Sequence, residues 1–371
     1  MPALIAPQSP VLPVTPTESI AAVGTQPGYL SRTVINALST TWSTAAQVPR
    51  GNFLEFIGTG PGAGGGSGGG FSGSGGGTNS TSTGGGGGGG GARPPRLRVS
   101  RAFIIAQLPI TYLCPIGGLA KAGVAMSGSS GSQPAGIGNS PLGAATMTGA
   151  HGVLMFCGAG GRPTATLAGA GGGCWGNATG SNVAGQPFDS VTSASLLTTQ
   201  FGGAVGNQRT TLGTGTQTLT RHGGAGGSPG AASSTQVPIP GGLSQFGGGG
   251  GGHGGGCNNL AYTPQLPSVG SQGGGHDTIG WGPTGGLGGA VDTAGQPGTT
   301  GDDEAAGTGG GGGGGYRNAL APRRGGAGGD GGYPGGGGGG GGTTHGSDGG
   351  SYTTAPGGKG GDSEFVCIAS N

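Results

Sequence analysis

Residues 83–92 read TGGGGGGGGA and residues 334–343 read PGGGGGGGGT, two uninterrupted runs of eight glycines. Gly309–Gly315 adds seven in a row and Gly247–Gly252 six, and glycine supplies 107 of the 371 residues. Such a run suits neither an ordinary helix nor an ordinary sheet. Each glycine loses more backbone entropy on ordering than any other residue and brings no side chain to bury. Two outcomes are open: disorder, or bare backbones packed so closely that main-chain hydrogen bonds replace an apolar core.

Composition favours the second. Charged residues are 7% and apolar residues 31% of the chain, whereas unfolded chains usually combine high charge with low hydrophobicity. A strict Gly-X-Y repeat fails at once, because stepping by three from Gly62 through Gly65 and Gly68 lands on Phe71. Collagen is thereby excluded. What ordered glycine runs can build is a polyproline-II-like helix of about three residues per turn and ~3.1 Å rise, with NH and CO groups pointing outward. Without Cβ atoms, several such helices can approach until each backbone bonds its neighbours. Each bond is worth ~1 kcal/mol net, close to the ordering cost of one residue, so only a bundle of many runs wins. Gly86, Gly88, Gly311 and Gly338 fall in the interior of that bundle, where an inward Cβ would break the contact.

Short apolar stretches flank the runs. Residues 53–58 (FLEFIG), 97–113 (LRVSRAFIIAQLPITYL), 153–157 (VLMFC) and 364–368 (EFVCI) have strand-like composition. The matching character of the first and last implies one small sheet that pairs the two ends of the module. The expected fold class is mainly β and irregular: a bundle of polyglycine-II helices clamped by a small β-sheet. Residues 41–371 form this module, and residues 1–40, rich in proline and threonine, read as an extended arm docking on something else. Tyr29–Leu38 (YLSRTVINAL) fits a helix or a strand equally.

Other signals are negative. Residues 1–14 lack a basic n-region and carry four prolines, which argues against a secretory leader. No stretch approaches the ~18 apolar residues of a membrane span. The 14 basic residues are dispersed and the net charge is +2, so no clustered basic face marks nucleic-acid binding. Cys114, Cys157, Cys174, Cys257 and Cys367 are odd in number, widely spaced and without a CxxC pair. They read as free buried thiols of a reducing cytosol.

Trp42-Ser43-Thr44 with Pro49, the strand Phe53–Gly58 and the glycines from Gly62 form a pattern. It continues in Ile110-Thr111-Tyr112-Leu113 leading to Ile116-Gly117-Gly118, and in Gly357–Asp362 before Phe365–Ile368. In these features the chain, over about residues 40–371, resembles the glycine-rich domain of bacteriophage tail fibres and tail-tip adhesins. That resemblance implies a polyglycine-II sandwich whose loops, at the exposed end, bind the host cell surface. It implies a virion protein without enzymatic activity, fixed to other virion proteins by the N-terminal arm. A host receptor is its further partner, with no nucleic acid and no membrane insertion. The alternative is a purely structural virion component: a minor capsid, head-decoration or tail structural protein. An ice-binding role ranks lower, because regular rows of Thr or Ala are not visible.

No motif points to catalysis or a cofactor. GxGxxG matches are inevitable in glycine runs, and none follows a strand and opens a helix. Gly357–Asp362 holds Lys359 but no Ser or Thr after it, so it is no P-loop. His253 with Cys257, and His276 with Asp277, read as polar residues on the bundle's rim rather than metal ligands. Arg323-Arg324-Gly325-Gly326 and Asp302-Asp303-Glu304 read as solvated loops. Phe71, Tyr262, Trp281, Tyr316, Tyr333 and Tyr352 are too large for a glycine-only interior and belong on its rim or in loops. They either cap the bundle ends or form a contact surface. Tyr262, Trp281 and Tyr316, in loops 257–272, 276–284 and 316–324, are the candidate receptor contacts.

Overall fold

Apolar residues in Phe53–Thr59 and Glu364–Ser370 bury both strands almost entirely, and the two pair with each other. In the computed structural model Glu364 lies opposite Thr59 and Ser370 opposite Phe53. The structure describes residues 29–73, 80–126, 130–164, 168–178, 184, 203, 219–228, 240–259, 272–275, 285–290, 292–315, 325–346 and 352–371. These residues are mainly strand and irregular chain. The first sheet is antiparallel, in the order β1 (Tyr29–Ile35), β17 (Glu364–Ser370), β3 (Phe53–Thr59), β6 (Leu97–Ser100). The module's early and final strands thus meet, as their composition implies.

A second antiparallel sheet, which the sequence reading did not separate from the first, runs β11 (Gly152–Cys157), β10 (Ala145–Gly149), β7 (Ile110–Leu113), β2 (Ser39–Trp42). Tyr29–Leu38 supplies β1, and β2 straddles the boundary expected at residue 40. The remainder of the arm, residues 1–28, lies outside the described residues.

One expected strand needs correction. Residues 97–113 are β6, a short helix α1 (Arg101–Ala106) and β7. The Ser100 side chain accepts a hydrogen bond from the Phe103 amide at 3.2 Å. This N-cap satisfies an orphan donor and starts a turn that RAFIIA, free of Gly and Pro, continues. Ile104 is the helix residue that enters the core.

The two sheets share one apolar core. Tyr112 sits at its centre, with ring centroids 4.9 Å from Trp42, 5.7 Å from Phe365 and 6.5 Å from Phe56. Leu54, Ile110, Met147 and Cys157 fill the space around these rings. Each fully buried side chain of this size contributes roughly 1.5–3 kcal/mol.

Past the strand ends the chain changes material. Gly84–Gly91 is neither helix nor strand, and its backbone bonds six other segments. Gly85, Gly88 and Gly91 donate to the carbonyls of Gly341, Gly338 and Gly335. Gly87 and Gly90 donate to Ser228 and Ala225, and Gly89 and Ala92 to Gly161 and Gly158. In return the carbonyls of Gly86 and Gly89 accept from Gly66 and Ala63. Those of Gly87 and Gly90 accept from Gly169 and Gly172, and those of Gly85, Gly88 and Gly91 from Gly254, Gly251 and Gly248. In every set the partners advance by three residues on both sides.

Gly335–Gly342 repeats the arrangement. Besides the 84–91 run it bonds segments near 249–252, 63–66, 326–329, 310–313 and 358–361, again in steps of three. The four positions assigned to the interior are all buried. A Cβ on Gly88 would collide with the Ala63 carbonyl, on Gly311 with that of Leu287, and on Gly338 with that of Gly358.

The interior is not glycine alone, however. Ala63, Ser67, Ala170, Thr308 and Thr343 are buried in the same segments. His253, read from sequence as a rim residue, is 2% exposed. Its Nδ1 lies 2.9 Å from the Gly254 carbonyl, so the backbone itself meets the ring's polar edge.

Candidate functional site

The segments run between two unlike ends. At one, they join the sandwich: β3 and β11 continue into Gly60 and Gly158, while Gly361 and Ala92 lead back toward β17 and β6. At the other, short ladders close them. β4 (Gly70–Gly73) lies between β9 (Ser130–Gln133) and β15 (Thr344–Gly346). β5 (Ser80–Ser82) pairs with β14 (Cys257–Asn259), and β8 (Ala125–Met126) with β16 (Tyr352–Thr353). A final two-stranded pair, β12 (Leu219–Thr220) with β13 (Leu243–Ser244), lies at the sandwich end.

The far-end ladders are made largely of Ser, Thr, Asn and Gly, with Phe71 opposite His345 and Ser132, and Tyr352 opposite Met126. Tyr262, Trp281 and Tyr316 lie outside the described residues. The described chain before Tyr262 ends at Asn259, opposite Ser80 in the far-end ladder. Before Tyr316 it ends at Gly315, whose carbonyl accepts from Asp292. Before Trp281 it ends at Gly275, whose carbonyl accepts from Ser244 in β13. Hence the three candidates follow residues at two different ends.

The sandwich end carries the charge. Asp302-Asp303-Glu304, expected as a solvated tip, is exposed at Asp302 and Glu304 and is also strapped to the first sheet. Asp303 receives Nε and Nη2 of Arg32 at 3.0 and 2.7 Å. Arg96 bridges Glu55 and Glu304, each at 2.7 Å, and Arg93 Nη2 donates to the Asp302 carbonyl at 2.7 Å. Asp302 Oδ1 accepts from the amides of Glu304 and Ala305, which fixes the loop's own turn. Three arginines, each more than 200 residues from the loop in sequence, were the missing signal, since no local pattern pairs them with it. Lys359, in the segment that resembled no P-loop, pairs with Asp362, and Asp362 Oδ1 accepts from the Gly117 amide.

Burial disfavours the charged form of the buried thiols. Cys114, Cys157, Cys174 and Cys367 are free buried thiols. Burial pushes Cys114 up to about 11, Cys174 and Cys367 to about 12, and Cys157 well above its ordinary value. Nucleophilic chemistry needs a thiolate, which these sites disfavour. The Tyr333 hydroxyl donates to Glu364 at 2.5 Å, and burial raises the pKa of both. Among the described residues no three His, Cys, Asp or Glu side chains converge as metal ligands, and no helix is long and apolar enough to cross a membrane.

In comparisons with known proteins, the chain matches no family model and no curated protein.

Proposed function

We propose that the glycine segments are polyglycine-II helices and that the protein is a bacteriophage virion protein, a tail-fibre or tail-tip adhesin. The recurrence of hydrogen-bond partners every three residues in Gly84–Gly91 and Gly335–Gly342 supports the first part, since three residues per turn is the period of that helix. The observation that carries the second is the contrast between the ends. A sheet sandwich with a salt-bridged strap closes one, and short Ser-, Thr- and Asn-rich ladders close the other. A spacer with one anchored end and one end closed by short polar ladders is what presentation to a cell surface requires. On this reading residues 1–40 fix the sandwich end to other virion proteins, and the far-end loops meet a host receptor. The protein acts on the particle surface, without enzymatic activity, cofactor, nucleic acid or membrane insertion.

Purified protein, pre-incubated with host cells, is expected to reduce adsorption of the phage that carries it, in a saturable manner. Undiminished adsorption at saturating protein would overturn the adhesin reading. A structural virion role is the second reading. Ile116, Leu119 and Ile137, exposed apolar residues on outer segments, favour it because they suit packing against another particle subunit. Immunogold label on heads instead of tail tips would select that role.

A further inference from the structure

Arg93 follows the central glycine run after Ala92, and only 3% of it is exposed. A guanidinium has five donors and keeps its charge in almost any setting. Here Nη2 meets the Asp302 carbonyl, while Nε and Nη1 have no partner and no contact with water. Among the described residues no carboxylate pairs with it. Asp303 is engaged by Arg32, Glu304 by Arg96 and Glu364 by Tyr333. A buried cation with one neutral acceptor is costly, and burial lowers its pKa to about 10.

A cleft of about 350 Å³ adjoins this side chain, lined also by Arg96, Arg221, His222, Phe246 and Glu304. The Arg221 guanidinium lies over the Phe246 ring at 5.8 Å, and the His222 ring stacks on the same Phe246 ring with centroids 4.8 Å apart. Three arginines therefore line one small space, and the two unbonded donors of Arg93 are buried in its wall. Glu304 lines the cleft, with 79% of its side chain exposed and Arg96 as its one ion-pair partner among the described residues.

We propose that the cleft binds a small organic monocarboxylate, which reaches Arg93 when the Glu304 side chain swings away from Arg96. Carboxylate is favoured because its planar oxygens match guanidinium donors. Asp303 and Glu304 at the mouth disfavour a second negative charge, which discriminates against sulfate and phosphate dianions.

Acetate is the probe, titrated into the full-length protein at constant ionic strength and followed by ¹³C-acetate line broadening and by thermal melting. Saturable broadening and a rise in Tm are expected with acetate, and neither with sulfate. Arg221→Ala, at an exposed position, should weaken acetate binding about fivefold, as expected for loss of one nearby surface charge. Glu304→Gln should strengthen it by a similar factor. Arg93→Met should abolish it. If Arg93→Met does not fold, the Arg221 and Glu304 variants decide. An equal response to sulfate, or acetate binding unchanged in both surface variants, would overturn the site.

Discussion

The sandwich and the glycine segments both exclude water, but with opposite materials. Around Tyr112 the core is made of interlocking rings and branched chains, and backbones stay apart. Around Gly88 there are no side chains to speak of, and what meets are carbonyls and amides of seven chain segments. The first kind of core holds slack, because rotamers shift and similar volumes can be exchanged. The second holds none, since its atoms of closest approach are already hydrogen-bonded and cannot turn aside. Sensitivity to substitution should therefore differ in kind between the two regions.

Gly88→Val tests the stiffer region, and should cost more than ~5 kcal/mol, beyond ordinary core substitutions. Loss of a cooperative thermal transition is the expected reading, and a variant melting within a few degrees of the parent would break the contrast. Phe365→Ala, in the ring cluster, should cost about 3–5 kcal/mol and still melt cooperatively. Chemical denaturation of both variants places them on one scale.

Alkali probes the sandwich more gently. The thiols of the sandwich, and that of Cys174 in a glycine segment, keep their protons in the folded state, whereas an unfolded chain loses them near 9, with folded values of about 11 to 12 for Cys114, Cys174 and Cys367. Stability from this source is complete below pH 9 and falls as pH rises toward 12. Each thiol adds a slope of about 1.4 kcal/mol per pH unit over its window. Urea midpoints measured across that range should fall accordingly, and Cys174→Ala should flatten the decline. Smallest of all is Tyr112→Phe. The Tyr112 hydroxyl is buried with no hydrogen-bond partner, so removing it should leave stability unchanged or raise it by ~1 kcal/mol. A loss above ~2 kcal/mol in denaturant melts would mean that the hydroxyl has a partner.

What the sequence disclosed follows the same division. Uninterrupted glycine is legible because so few structures accept it, and the apolar run before Gly58 announced a strand because β-formers stood beside a breaker. Residues 101–106 misled because RAFIIA suits a strand or a helix, and the deciding group was one serine oxygen at its start. The ion pairs of the acidic triplet 302–304 were illegible because its partners, Arg32 and Arg96, lie some 200 or more residues away in sequence. His253 looked peripheral because an imidazole among glycines seems too large for the interior. A backbone carbonyl one residue on supplied the partner that burial demands.

The three-residue recurrence of partners has a consequence for heredity. Gly85, Gly88 and Gly91 address one neighbour, whereas the carbonyls of Gly86 and Gly89 address another. Adding one residue to a run hands every later amide to the wrong neighbour, but adding three restores the assignment. Replication slippage in glycine codons would thus be tolerated in nine-base steps and purged in shorter ones, so that allele lengths within a run record the pitch of its backbone.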